Sequence, residues 1–166
     1  RSTLFPYTTL FRSGRRTDNL NTLRIFGAPH TGYFARISSM RRFREVNSDL
    51  LDFDVMKELF LSDAQIYTKV KDNHPAHYGI TAHVDHAIVG SGCTVNGVLD
   101  HAILFRDSMV GENSRIENCI IMQHATIGRN VTLKHVILDK NCSIRDNVSL
   151  TGTKDNPIIL GKGRSL

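Results

Sequence analysis

Aliphatic residues stand at Leu104, Val110, Ile116, Ile121, Ile127, Leu133, Leu138, Ile144 and Leu150, separated by steps of 6, 6, 5, 6, 6, 5, 6 and 6 residues. The second half of the chain therefore repeats every 17 residues. An amphipathic helix needs apolar recurrence near 3.6 residues and a half-buried strand needs recurrence near 2. Neither produces this spacing, but a triangular coil does, with three short strands and three corners per turn and each aliphatic pointing into a narrow prism. Small or β-branched residues follow four positions later at Ser114, Ala125, Val131, Cys142 and Val148 and fit the restricted space beside it. Gly111 and Gly128 follow their aliphatic directly, and Gly and Asn at corners tolerate the positive φ of a sharp bend. Upstream, Val89-Gly90 and Val95-Asn96 continue the register with one slip of two residues. A single coil cannot bury its own inner face, so coils stack as parallel strands about 4.8 Å apart. The chain is thus expected to be mainly β, a parallel β-solenoid. Residues 156–161 are expected to add a strand, and the open edges of the last coil to self-associate or meet a partner.

Ahead of the repeat the period changes. Met40, Phe43, Val46 or Asn47, and Leu50 recur at helical spacing after Ser38 and Ser39, whose hydroxyls suit an N-cap, so a helix over roughly 39–51 is predicted. Arg41, Arg42 and Arg44 fall largely off the apolar stripe and read as a solvated face. Asp52 or Asp54 can cap a second short helix containing Val55, Met56, Leu59 and Phe60. Residues 65–78 read as an extended linker in which Ile66, Tyr67 and Val70 can form a strand. Asn73-His74-Pro75 breaks it, because proline disfavours helix in the residue before it.

Charge changes the picture by its distribution. The net +5 of the 166 residues divides into +8 over residues 1–44 and −3 over residues 45–166. The basicity belongs to one end, which argues against a nucleic-acid partner. No apolar run approaches the roughly 18 residues of a membrane span, so a soluble chain is expected. Cys93, Cys119 and Cys142 are an odd number without metal-like clustering, which fits buried thiols in a reducing, cytoplasmic setting. His101, His124 and His135 are general-base candidates by residue type, but their spacing places them at corners or on the surface. Residues 1–13, with Thr-Leu-Phe twice and Arg-Ser at both ends, look like non-native linker sequence and are set apart from the fold.

The repeat resembles the hexapeptide repeats of left-handed β-helices; the left hand comes from that resemblance, since parallel crossovers are otherwise right-handed. A wider resemblance covers about residues 20–166. Gly32-Tyr33-Phe34-Ala35-Arg36-Ile37-Ser38-Ser39, the helix ending Asn47-Ser48-Asp49-Leu50-Leu51, the linker Ile66-Tyr67-Thr68-Lys69-Val70-Lys71-Asp72 and Pro75-Ala76 fall in order before the repeats. Ile103-Leu104-Phe105, Ile120-Ile121-Met122 and Val136-Ile137-Leu138-Asp139-Lys140 follow within them. Together they resemble the C-terminal part of bacterial glucose-1-phosphate adenylyltransferases, the ADP-glucose pyrophosphorylases of glycogen biosynthesis. The resemblance implies an end of an α/β nucleotidyltransferase domain at 14–62, a linker at 63–80 and a β-helix domain at 81–166.

In that family an N-terminal domain joins ATP and glucose 1-phosphate into ADP-glucose and pyrophosphate, and the β-helix supports tetramer contacts and allosteric control. Catalytic subunits carry an Asp that helps hold Mg²⁺ where this chain has Arg36. The pattern is closer to the non-catalytic, GlgD-type regulatory subunit, whose partner is the catalytic subunit in a hetero- or homo-tetramer. The family's glycine-rich nucleotide loop is missing, since Gly14-Arg15-Arg16-Thr17 is too short to count. The chain is therefore expected to be a C-terminal fragment without cofactor or metal, unable to make ADP-glucose alone. Sugar-phosphate effectors in the family meet basic residues, and Lys140 matches such a position, with Arg129, Lys134 and Arg145 as neighbours in the repeat. The alternative is a hexapeptide-repeat acyltransferase or the tail of another sugar-phosphate nucleotidyltransferase.

Overall fold

The computed structural model describes residues 29–61, 66 and 71–166. The chain divides into two units, Arg1–Phe34 and Ala35–Leu166, and every element described below belongs to the second. Among the described residues, fifteen short strands fold into three parallel sheets of five. The first sheet holds β1 (His77–Tyr78), β4 (Thr94–Val95), β7 (Met109–Val110), β10 (Thr126–Ile127) and β13 (Ser143–Ile144). The second holds β2 (His83–Asp85), β5 (Val98–Asp100), β8 (Arg115–Glu117), β11 (Thr132–Lys134) and β14 (Ser149–Thr151). The third holds β3 (Ile88–Val89), β6 (Ile103–Leu104), β9 (Ile120–Ile121), β12 (Val136–Leu138) and β15 (Ile158–Leu160). Each strand pairs with the strands one coil before and after it, as the 17-residue period requires. Ile116 lies beside Leu133, and Ile121 beside Leu138.

Two irregularities interrupt that register. Val84 pairs with Leu99 and Val89 with Leu104, so the slip of two residues falls at the shortened corner around Asn96-Gly97. Leu138 pairs with Leu160, so residues 152–157 form an inserted loop before the expected last strand. The aliphatics of the repeat fill the prism: Val95, Leu99, Leu104, Val110, Ile116, Ile121, Ile127, Leu133, Leu138 and Ile144 are buried in one core. Cys93, Ala102, Ser108, Ser114, Cys119, Ala125, Val131 and Cys142 occupy the tight places beside them and are likewise buried. Polar members of that set bond to the adjacent coil: Ser114 Oγ donates to the Gly128 carbonyl at 2.7 Å and accepts from the Val131 N–H at 3.0 Å. Burial pushes the Cys119 thiol up to about 12, in keeping with a structural role for a free cysteine.

The corners are where the backbone bends into positive φ. Among the described residues ten non-glycine residues do so, and they fall in three columns. Asp107, His124 and Asn141 stand at the corner between the third and first sheets. Asn113, Asn130 and Asn147 stand between the first and second. His86, His101, Asn118 and His135 stand between the second and third. Asn, Asp and His tolerate this region better than other side chains. Gly111 and Gly128 serve a different need: a Cβ on Gly111 would strike the carbonyl of Gly128 in the next coil.

The two helices among the described residues are α1 (Met40–Asp49) and α2 (Phe53–Phe60). Ser39 caps α1, accepting from the Arg42 N–H at 3.1 Å, and Asp52 caps α2, accepting from the Asp54 N–H at 2.8 Å. Both lie against the third sheet, and the reason is in its outer row. Each of its strands carries an isoleucine beside the inward residue: Ile88, Ile103, Ile120, Ile137 and Ile159. Strand side chains alternate between faces, and Ile103, Ile120 and Ile137 are buried without belonging to the inner core. Asn47, Leu50, Met56 and Phe60 enclose a cavity of about 300 Å³ with Ile88, Ile103 and Phe105. At the other end of α1, Arg41 reaches Asp155 of the inserted loop at 3.4 Å. The solvated face expected for the arginines of α1 holds for Arg41 and Arg42 but not for Arg44. Arg44 is only 6% exposed. Ile66 is exposed and outside any strand, and the strand expected at Tyr67 and Val70 lies outside the described residues.

Candidate functional site

At the corner between the third and first sheets, the residue just before each positive-φ position points away from the prism axis. In successive coils these positions carry Arg106, Gln123, Lys140 and, after the insertion, Lys162. Backbone bonds fix the stacking: the His124 N–H donates to the Arg106 carbonyl at 3.2 Å, Asn141 to Gln123 at 3.0 Å, and Gly163 to Lys140 at 2.9 Å. Parallel coils repeat at about 4.8 Å, so the column is a ladder of donors. Lys71, from the segment before β1, joins it, and Lys71, Arg106, Gln123, His124, Lys140, Asn141 and Lys162 line a cleft of about 270 Å³. Four cationic heads and two carboxamides around a cleft of that size offer charge-assisted donors to an oxyanion such as phosphate. Asp107 holds the rim in place, accepting from Asn73 Nδ2 at 2.6 Å and lying 3.7 Å from His124 Nδ1.

Of the four basic residues singled out from the sequence, the structure brings only Lys140 into this cleft. Arg129 and Arg145 sit at the next corner, exposed, beside Asn130 and Asn147. Lys134 lies on β11, where its Nζ is 3.1 Å from Glu117 Oε2. Glu117 is also held by Arg115, and this pairing with Arg115, then Lys134, keeps its carboxyl below the ordinary range. Lys71, Arg106 and Lys162 lie far from Lys140 along the chain, and Arg129, Lys134 and Arg145 lie close to it. The 17-residue offset from 106 to 123 to 140 was the available signal.

The histidines occupy corners, as their spacing implied. His101 and His135 share one corner two coils apart, and His124 stands at another, so the three do not converge. His101 Nδ1 is 2.6 Å from Asp100 Oδ1, and its ring stacks on His86 at 4.9 Å. Arg36 lies exposed in the extended segment before α1. A guanidinium cannot ligate Mg²⁺, and among the described residues no group of three His, Cys, Asp or Glu is arranged to hold a metal. No helix among them is long and apolar enough to cross a membrane.

The model of the GlmU-like C-terminal hexapeptide family matches residues 69–156. This chain belongs to that family. Its relatives narrow the kinship. The glycogen biosynthesis protein GlgD of Geobacillus stearothermophilus is 55% identical over 115 residues, covering 69% of this chain and 34% of the relative. GlgD of Bacillus subtilis (strain 168) is 36% identical over 143 residues, covering 86% of this chain and 42% of that protein. A glucose-1-phosphate adenylyltransferase of Clostridium botulinum (strain Eklund 17B / Type B) is 34% identical over 91 residues, 54% of this chain and 23% of the enzyme. The chain thus spans well under half the length of these curated relatives.

Proposed function

We propose that this chain acts in cytoplasmic glycogen biosynthesis as the β-helix region of a GlgD-type subunit of glucose-1-phosphate adenylyltransferase. Its role is assembly with the catalytic subunit and response to a sugar-phosphate effector, without chemistry of its own. The observation that carries the reading is the 55% identity to a GlgD protein across 115 residues. Arg36 supports the non-catalytic type, since it repels the Mg²⁺ that phosphoryl transfer needs to neutralise developing charge. The cleft around Lys140 supports the effector role, with Lys71, Arg106 and Lys162 as the further contacts. Arg129, Lys134 and Arg145 lie outside it and are not part of the proposed site.

The test uses the chain mixed with a catalytic subunit. A complex larger than either component is expected by analytical ultracentrifugation, and ADP-glucose synthesis only when the catalytic subunit is present. Lys140→Glu with Lys162→Glu in the complex should weaken the response to a sugar phosphate by about tenfold or more, as expected when two charge-assisted contacts are lost. Turnover by the chain alone, the absence of a complex or an unchanged effector curve each counts against the part of the reading it addresses.

A further inference from the structure

Asparagine is followed by glycine once in the 166 residues, at Asn96-Gly97. The pair is the whole corner between β4 and β5, where the next two coils use residues 111–114 and 128–131. It turns without a positive φ at either residue. The glycine answers to packing instead: a Cβ on Gly97 would strike the Ser114 carbonyl oxygen of the next coil. The Asn96 carboxamide lies toward the previous coil, against Gly79, in the space a Cβ there would fill.

The backbone around the pair is bonded to both neighbouring coils. The Asn96 N–H donates to the Val110 carbonyl at 2.9 Å, and the Asn96 carbonyl accepts from Thr81 Oγ1 at 2.8 Å. The Gly97 carbonyl accepts from the His83 N–H at 3.1 Å. Two groups are left without a hydrogen-bond partner among the described residues, the Gly97 N–H and the Asn96 carboxamide. Gly97 is buried, and buried N–H groups are almost always paired. The nitrogen of one free group is the nucleophile, and the carbon of the other the electrophile, of a succinimide ring closure. Elsewhere that closure is obstructed. After Asn130, the Val131 N–H is bonded to Ser114 Oγ at 3.0 Å, and inside α1 the Asn47 carboxamide donates to the Phe43 carbonyl at 2.8 Å. After Asn147, the branched Val148 crowds the amide that would have to attack.

We propose that Asn96 is a site of covalent self-modification, in which the Gly97 nitrogen attacks Asn96 Cγ and the pair becomes an aspartyl or isoaspartyl linkage. The N–Cγ bond forms as the Cγ–Nδ2 bond breaks, and Nδ2 departs as ammonia with the Gly97 amide proton. Water then opens the ring, returning a proton to the Gly97 nitrogen and a hydroxyl to the carbon it attacks. Attack at Cγ restores the main chain and leaves an aspartate. Attack at the main-chain carbonyl leaves the chain running through Cβ and Cγ. Ring closure removes a buried, unpaired donor, and the isoaspartyl product adds a methylene and a carboxylate to a corner that is two residues short. Both changes fall beside the bonds that hold β1 and β2 to the second coil.

Mass spectrometry of digests of the full 166-residue chain, incubated at mildly alkaline pH alongside the same chain unfolded in urea, tests this. In the folded chain the peptide holding Asn96 is expected to exchange NH2 for OH, while Asn47, Asn113 and Asn130 stay unchanged. An isoaspartyl methyltransferase supplied with labelled S-adenosylmethionine should label that peptide, and Asn96→Ser should abolish the label. In the converted chain the amides of Gly79 and His83, which bond to the Val95 and Gly97 carbonyls, should lose about tenfold of their protection from hydrogen exchange. A folded chain that keeps Asn96 intact while the unfolded chain converts overturns the proposal. So does conversion that is equally fast at Asn113, or a label that persists in Asn96→Ser.

Discussion

The third sheet and the other two share the same inner rhythm and differ in one outward position per strand. In the third sheet that position is isoleucine in every coil, and Ile103, Ile120 and Ile137 are buried there. In the first sheet the equivalent row is His77, Thr94, Met109, Thr126 and Ser143, and Met109 is 51% exposed. In the second it is polar or charged at nearly every strand, with Arg115, Glu117, Thr132 and Lys134 among its members. The inward aliphatics decide that the chain coils; the outward row decides which face of the coil is a surface and which is an interior. α1 and α2 are laid on the one face whose exposure would cost the hydrophobic effect most.

The largest effect expected from this contrast is at Ile137. If the helices make its surroundings a true interior, Ile137→Ala should destabilise by about 2–5 kcal/mol, as much as Leu133→Ala inside the prism. Thr126→Ala, at the matching outward place on the first sheet, should change stability by less than about 0.5 kcal/mol. Urea denaturation of the three variants compares them directly. An Ile137→Ala variant that behaves like Thr126→Ala would mean that the helices lie on the sheet without sealing it.

Corners provide a second comparison, because they must bend alike whether or not the adjoining faces are covered. Asn113, between the two polar sheets, has φ 56°. Replacement by alanine there should cost about 1–2 kcal/mol from the left-handed backbone alone, and Asn113→Gly should cost almost nothing. Equal losses for Asn113→Ala and Asn113→Gly in the same denaturation experiment would assign the effect to the asparagine side chain and not to the bend.

Much of this was legible in the sequence, and unevenly so. The 17-residue period yields the coil and its core, and the serines and aspartates ahead of each apolar stripe yield the helix caps, because each depends on residues close in sequence or on one repeated offset. The slip at Asn96-Gly97 was detectable as two missing residues, but only strand pairing locates it. The outward isoleucines were visible as Ile103-Leu104, Ile120-Ile121 and Ile137-Leu138, yet a double aliphatic does not say what will cover its second member. The cleft was hidden for a related reason. Arg129, Lys134, Lys140 and Arg145 are neighbours along the chain, but a triangular coil carries residues five or six apart to different corners and brings residues 17 apart together. Burial of Arg44 was hidden too, since a helix presents a residue to its neighbours in the fold, and the inserted loop near Arg44 announces itself only after Leu160 is seen to pair with Leu138.

The smallest effect concerns His135, on the edge of the covered face. Burial first, and then the Arg44 and Lys134 charges, hold its imidazole below the ordinary value, with Glu117 opposing. The unfolded chain takes up this proton near pH 6.5, whereas the folded chain resists until the pH is lower. Between those two points the unfolded state binds more protons, so stability falls as the solution is acidified through pH 6.5 and levels off only below the folded value. Asparagine occupies the same corner one coil earlier, at Asn118, so His135→Asn keeps the bend and removes the titration. The variant is expected to lose less stability than the parent between about pH 7 and pH 5.5 when thermal midpoints are followed. A parent-like slope in His135→Asn would detach the pH dependence from this corner.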